Sequence, residues 1–110
     1  MRGHTLLPTG GPAANLVDYQ EAAIVSRTLL KGPAGTVTAF AFDAGQELSE
    51  HTSPHDALVF LLDGSAEVRV SGVPHQLVAG DVVLLPAHAP HAVKATARFK
   101  MILIMLRAQP

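Results

Sequence analysis

The sequence contains no cysteine, no tryptophan and a single tyrosine, Tyr19. Without cysteine the chain has no disulfide framework, no thiolate metal site and no cysteine nucleophile. Any metal must therefore be held by nitrogen and oxygen donors. The scarcity of large aromatic residues predicts an aliphatic core, for which the apolar share of 48% supplies the material. Its largest side chains are predicted to be Phe40, Phe42, Phe60 and Phe99.

Neither sign of charge is concentrated in this chain. Eight Lys and Arg stand against nine Asp and Glu, a formal net charge of -1, so the basic footprint of a nucleic-acid-binding protein is absent. The longest apolar run, residues 101–106, has the length of a strand and falls far short of the roughly 18 residues that a membrane span needs. The first eight residues do not resemble a signal peptide, because Pro8 interrupts a short apolar run. We expect a soluble, cytoplasmic protein with no nucleic-acid or membrane partner.

Turn signals recur about every ten residues after an irregular arm at residues 1–21, which is rich in glycine and proline. Short apolar segments at this spacing are typical of an all-β sandwich or barrel. We therefore predict one barrel domain at residues 22–110, with about ten short strands and almost no helix. The clearest strands are residues 22–30, 36–42, 57–62, 66–70, 82–85 and 99–106.

Three local patterns predict a central strand, a hairpin turn and the inward face of a further strand. Residues 57–62 are apolar on both faces, which predicts a central strand covered on both sides. Asp63-Gly64 after it is the strongest hairpin signal in the chain. Near residue 91, Lys94 should be solvated, so that His91 and Val93, on the opposite face of an alternating strand, point inward.

Six histidines occur in the sequence, and four of them form two clusters: His51 with His55, and His88 with His91. Neutral imidazole is a ligand for zinc, copper, iron and nickel. The two clusters are separated by the strands of residues 57–85, and closure of the sheet into a barrel would bring them together. His75 is expected in a solvated turn, and His4 belongs to the arm.

The glycine, proline and histidine spacing resembles the cupin family. The first cupin motif, G-x5-H-x-H-x3,4-E-x6-G, is matched by Gly45, His51 and Gly64. The second, G-x5-P-x-G-x2-H-x3-N, is matched by Gly80, Pro86 and His91. The resemblance covers roughly residues 35–106 and implies a double-stranded β-helix, the jelly-roll barrel of the cupins.

The departures from these motifs bear on function. The second histidine of the first motif is Ser53 and its glutamate is Ala57, so two of the usual four ligand positions are changed. The glycine of the second motif is His88 and its asparagine is Ala95. His51 and His91 remain, and His55 is a candidate third ligand if it shares the inward face of an extended segment. Pro54 leaves open the alternative that the turn directs His55 outward.

The resemblance implies a pocket for a small-molecule ligand and a divalent transition metal, Zn, Ni, Fe, Mn or Cu, held by His51, His55 and His91. Asp56, Glu47 and His88 are further candidates as ligands or as hydrogen-bond partners of ligands. Three alternatives stay open: a metal-binding cupin with oxygenase- or isomerase-like chemistry, a metal-free small-molecule-binding module, and a barrel that acts only through protein contacts.

Two further expectations concern geometry and assembly. The imidazoles of His51 and His91 should approach within about 5 Å, close enough to share one metal ion. The last strand carries two apolar faces, Phe99, Met101, Leu103 and Met105 on one and Ile102, Ile104 and Leu106 on the other. A barrel interior covers only one of them, so we expect a homodimer that covers part of the second.

Overall fold

The computed structural model describes residues 10–108 of the chain. Within that part, eight strands follow one 3-10 helix, Ala13–Leu16. The strands are β1 (Ile24–Gly32), β2 (Gly35–Phe42), β3 (Glu47–His51), β4 (Asp56–Val70), β5 (Val73–Val78), β6 (Val82–Leu85), β7 (His91–Lys94) and β8 (Phe99–Leu106). The all-β prediction is confirmed. The expected number of about ten strands was too high, because β4 alone is 15 residues long.

The strands form two sheets that share β4. In one sheet, called sheet A here, the order is β1-β2-β8-β4-β6, with all neighbours antiparallel. In the other, sheet B, the order is β3-β7-β4-β5, again antiparallel. The first half of β4 pairs in sheet A and the second half pairs in sheet B. The two sheets therefore curl around one interior, as the predicted jelly-roll barrel requires.

Gly64 lies where β4 passes from one sheet to the other. The prediction that Asp63-Gly64 forms a hairpin turn is wrong, because the strand continues through both residues. Gly64 has a φ of +75°, and a Cβ atom there would lie 1.8 Å from the carbonyl oxygen of Arg98 on the neighbouring chain segment. Only glycine combines this backbone angle with so close an approach. The Asp-Gly pair therefore marks a bend within a strand, and the hairpin between β4 and β5 turns instead at Ser71-Gly72.

The core fills the space between the sheets. Phe42 and Phe99 stack with ring centroids 4.4 Å apart, and the rest of the buried cluster is aliphatic, with Val59, Leu61 and Met101 from sheet A and Ala66, Val68 and Val93 from sheet B. The prediction of an aliphatic core is confirmed. Of the phenylalanines predicted to be its largest side chains, Phe60 lies outside the core. Its side chain points to the outer face of sheet A and is 38% exposed, so β4 is not covered on both sides as the sequence suggested.

Residues 13–19 pack on the outer face of sheet A. Val17 is buried there with Leu29, Ala39 and Ala41, and the Tyr19 hydroxyl donates a hydrogen bond to Asp63 at 2.7 Å. The Lys100 ammonium donates to the carbonyl oxygen of Ala14. Part of the irregular arm predicted from the sequence is therefore packed against the barrel. The described part of the chain has no helix long and apolar enough to cross a membrane.

Candidate functional site

The segment before His91 is held by hydrogen bonds at three points, two between backbone groups and one to a side-chain carboxylate. The His88 N–H donates to the carbonyl oxygen of Ser53 at 2.7 Å, and the Ser71 N–H donates to that of Pro90 at 2.8 Å. Asp56 accepts a hydrogen bond from the Ala87 N–H at 2.8 Å. These bonds fix the entry into β7, where His91 and Val93 are buried and Lys94 is exposed, as the alternation around Lys94 predicts.

His51 and His91 are partners on adjacent antiparallel strands. They occupy the same register position of β3 and β7, and their Nε2 atoms lie 3.0 Å apart. The rings meet edge to face, with centroids 4.3 Å apart. The prediction that the two imidazoles approach within about 5 Å is confirmed. His51 lies at the exposed rim and His91 is only 8% exposed.

Hydrogen bonds to backbone carbonyls determine which nitrogen of each ring carries its proton. His51 Nδ1 lies 2.8 Å from the carbonyl oxygen of Ser49, and His91 Nδ1 lies 3.1 Å from that of Ala89. A carbonyl oxygen only accepts, so each Nδ1 donates an N–H. In the neutral rings each Nε2 then carries a lone pair, and the two lone pairs face each other. Such a contact is favourable only with a positive centre between the nitrogens, a metal ion or a proton.

The environment of His91 favours its neutral form. Burial lowers the pKa of His91 below its ordinary value of 6.5, the hydrogen bond to the Ala89 carbonyl opposes this, and the neighbouring His51 lowers it further. Neutral imidazole is the form that binds a metal or accepts a hydrogen bond. His91 is therefore available as a ligand at neutral pH.

Behind the histidine pair lies a cavity of about 160 Å³ inside the barrel. Its walls come from both sheets, with Leu48 and Val93 from sheet B and Met101, Leu103 and Met105 of β8 from sheet A. The face of the last strand that points inward is therefore the one that carries Met101, Leu103 and Met105. The sequence did not identify Leu48 and Leu85 as cavity residues, because their place follows from the pairing of strands and not from any local motif.

His55 lines the same cavity, but its hydrogen bonding differs from that of the pair. Its Nδ1 accepts a hydrogen bond from the Ala108 N–H at 2.9 Å. That bond requires a lone pair on Nδ1, so in the neutral ring the proton is on Nε2. Ligation through Nε2 would need the proton to move and this bond to break. The role of His55 as third ligand stays a prediction.

The remaining sequence candidates lie away from the cavity. His88 is exposed in a turn with a φ of +68°, at the position where the cupin motif has glycine. The Asp56 carboxylate accepts a hydrogen bond from the Ala87 N–H, and Glu47 is exposed in β3. His75 is half-buried in β5 opposite Val68, so its placement in a turn was wrong. His4 lies outside the described residues.

The donor set fits a metal ion only in part. Within residues 10–108 no group of three or more His, Asp or Glu is arranged to hold one. The His51–His91 pair by itself fits, because two nitrogens at about 2.0–2.1 Å from one zinc ion lie about 3 Å apart when the angle at the metal is near 90°. Both rings also donate their other N–H to a carbonyl oxygen, which is how ligating histidines are normally oriented.

Comparison with known proteins identifies the family. The family model described as "Cupin domain" matches residues 39–106, and the chain belongs to the cupin family. A cupin superfamily protein from Desulfitobacterium hafniense is 30% identical, with a TM-score of 0.88 and 94% of each chain covered. A conserved protein of unknown function from Streptococcus pyogenes is 33% identical, with a TM-score of 0.78, 83% of this chain and 80% of that chain covered.

A cupin 2 conserved barrel domain protein from Leptotrichia buccalis is 43% identical over 86% of this chain, with a TM-score of 0.82, and the match spans 46% of that longer chain. More distant structures include a predicted oxalate decarboxylase from Thermotoga maritima at 14% identity and a salicylate 1,2-dioxygenase mutant from Pseudoaminobacter salicylatoxidans at 17%. At such identities the likeness shows the fold alone and does not select a reaction. No curated protein matches the chain.

Proposed function

We propose that this cupin binds a small organic molecule in its barrel and holds one divalent transition metal between His51 and His91. The observation that carries the proposal is the 3.0 Å contact between two Nε2 atoms whose rings both donate Nδ1–H to carbonyl oxygens. A metal ion is the positive centre that this arrangement of lone pairs would accept. Zinc, nickel, copper, iron and manganese are the candidates.

The metal would supply a Lewis acid at the mouth of the cavity, with coordination positions left for oxygen ligands. The chain itself contributes the rest of the site. His51 and His91 orient their lone pairs through the Ser49 and Ala89 carbonyls, and the apolar walls behind them exclude water. We expect weaker binding than at a four-ligand site, because Ser53 and Ala57 stand where the cupin motif has its other two ligands.

A melting experiment tests the proposal. The protein is stripped with chelator and melted with each of the five metals at pH 7.5 and at pH 5.5. A metal that binds only the folded state at a hundredfold excess over Kd stabilises it by about 2.7 kcal/mol. The expected rise in Tm is roughly ten degrees or more, since about 4–8 °C corresponds to each kcal/mol in a domain slightly smaller than this one.

Four variants assign the effect to residues. His51→Ala and His91→Ala should each abolish the rise in Tm, and His75→Ala, a half-buried histidine outside the cavity, serves as the matched control and should retain it. The rise should shrink at pH 5.5, because a neutral imidazole is the ligand and protons compete with the metal for its nitrogen as the pH falls. His55→Ala decides the third ligand: a loss like that of His91→Ala makes it a ligand, and an unchanged shift removes it from the site. No shift with any metal would contradict the proposal.

A metal-free binding module is the second candidate, and the absence of a three-ligand group within residues 10–108 favours it. In that case a proton on His51 Nε2 is donated to His91 Nε2, and the pair presents one positive charge at the cavity mouth. The melts separate the two candidates, because an organic ligand would then raise the Tm of chelated protein while no metal does.

We also propose a homodimer formed through the outer face of sheet A. Phe60 pairs with Val82 and neighbours Leu84 on this face, and Val82, Leu84 and Leu106 are about half exposed or more, at 49%, 51% and 61%. A contiguous apolar patch of this kind on a small protein is typical of an interface. Light scattering should give a dimer mass at micromolar concentration. Leu84→Glu should yield the monomer, while Val73→Glu, at an equally exposed valine of sheet B, should not.

A further inference from the structure

The cavity behind the histidine pair is lined mainly by apolar side chains and has few polar groups. Its wall residues are Leu48, Val59, Leu85, Val93 and the inward face of β8. Its polar groups are three imidazoles and the Ser53 hydroxyl, which already accepts a hydrogen bond from the His55 N–H. Among the described residues that line it, none is Asp, Glu, Lys or Arg.

The size of the cavity limits the body of a ligand. An apolar cavity of about 150 Å³ in a protein core is large enough to bind benzene, and this one measures about 160 Å³. A body of about six carbon atoms fills such a space. A disaccharide or a nucleotide is too large to be enclosed by it.

The lining limits the head group. A second charge on the ligand would be buried against leucine, methionine and valine with no cation to pair with, and an unpaired buried charge is strongly unfavourable. Several hydroxyl groups would likewise lose their hydrogen bonds to water without replacement. One oxygen head group is the exception, because the positive centre between His51 and His91, metal or proton, would receive it.

We propose that the cavity takes a small monoanion with an apolar body of about six carbons and a single carboxylate head group, which lies at the His51–His91 pair. The proposal rests on the proposed function in that it uses the same pair as the binding centre. Sugars, sugar phosphates and short dicarboxylates are thereby excluded as ligands.

Calorimetric titration tests the ligand class with defined probes. Benzoate has both the head and the body, formate has the head alone, oxalate has a second charge without the body, and glucose has many hydroxyls. Each is titrated into protein loaded with the metal that raised the Tm, and into chelated protein. We expect benzoate to bind at least tenfold more tightly than each of the other three. Formate or oxalate binding as tightly as benzoate, or glucose binding more tightly, would overturn the proposal.

Two variants show whether the body lies in this cavity. Ala57→Leu fills it from β4 and should weaken benzoate binding at least tenfold, while Ala44→Leu, the same exchange at an exposed turn residue, should not. Leu103→Ala enlarges the cavity and should shift the preference from benzoate toward 4-ethylbenzoate, a gain that a poorly folded protein would not show. Unchanged preference in Leu103→Ala together with intact binding in Ala57→Leu would place benzoate elsewhere and refute the inference.

The two proposals fail differently. If metals raise the Tm through His51 and His91 but benzoate does not bind, the ligand class is wrong and the metal site stands. If benzoate binds chelated protein and no metal raises the Tm, the metal site is wrong and the ligand class stands.

Discussion

Replacement of Gly64 by alanine tests how the barrel is shaped. Gly64 lies at the bend of β4, with a φ of +75°, and an added Cβ would lie 1.8 Å from the Arg98 carbonyl oxygen and 2.9 Å from the Phe99 Cα. Both contacts are with backbone atoms, which cannot rotate away as a side chain can. Gly72 is the matched control, because its φ is +79° but a Cβ added there would have no neighbour within 4 Å.

The expected magnitudes follow from these two environments. A left-handed backbone angle costs an alanine about 1–2 kcal/mol, of which about 0.4–1 kcal/mol is returned because alanine restricts the unfolded chain. Gly72→Ala should therefore lose about 1 kcal/mol of unfolding free energy. Gly64→Ala bears the same angular cost and, in addition, an overlap that forces β4 and β8 apart, for which overpacking adds about 1–3 kcal/mol or more.

Urea unfolding of the two variants beside the unmodified protein measures the difference. The unfolding free energies extrapolate linearly with denaturant, and Gly64→Ala should be less stable than Gly72→Ala by about 1–3 kcal/mol or more. It should also weaken ligand binding, since the bend holds the two walls of the cavity in place. Equal losses in the two variants would mean that the close approach of β4 and the Arg98 carbonyl does not constrain the fold.

Two further predictions concern the turn before His91 and the surface carboxylate of Asp43. His88→Gly should stabilise the protein by about 0.5–1 kcal/mol. It removes the cost of about 1–2 kcal/mol that a side chain has at a left-handed backbone angle, and the greater entropy of glycine in the unfolded chain offsets part of this gain. Thermal melts measure the change, and a loss of stability would contradict the prediction. The Arg98 guanidinium lowers the pKa of Asp43 by hydrogen bonding, and the Ala22 N–H adds to this. Its contribution to stability is therefore present above the unfolded-state pKa of about 3.9 and is lost as the pH falls through the lower folded-state pKa, so Asp43→Asn should flatten the acid limb of the stability profile. An unchanged acid limb would refute that role.

The motif spacing predicted the contact between His51 and His91 better than it predicted the strands around them. Gly45, Pro86 and the two histidines fall at fixed distances from turns that local backbone chemistry determines, so the meeting of His51 and His91 follows from the sequence. Lys94 likewise fixes the inward face of β7. These predictions depend on alternation within one strand and on turn residues, which are local properties.

The failures have long-range causes. Asp63-Gly64 has the local pattern of a hairpin, and only the approach of the Arg98 carbonyl on another segment makes it a bend in a continuous strand. Phe60 is as apolar as the core phenylalanines, and its exposure follows from the register of β4 against β6 and β8. The tautomers of the three cavity histidines depend on carbonyl oxygens and an amide N–H of other loop residues, which no residue type in the sequence specifies.

Anomalous diffraction from crystals grown with zinc shows whether His51 and His91 share one metal ion. We expect a peak at the zinc edge between the two Nε2 atoms, at about 2.0–2.1 Å from each, and its loss in His91→Ala. A map with zinc at the exposed His88 or at His75, and none between His51 and His91, would contradict the shared site.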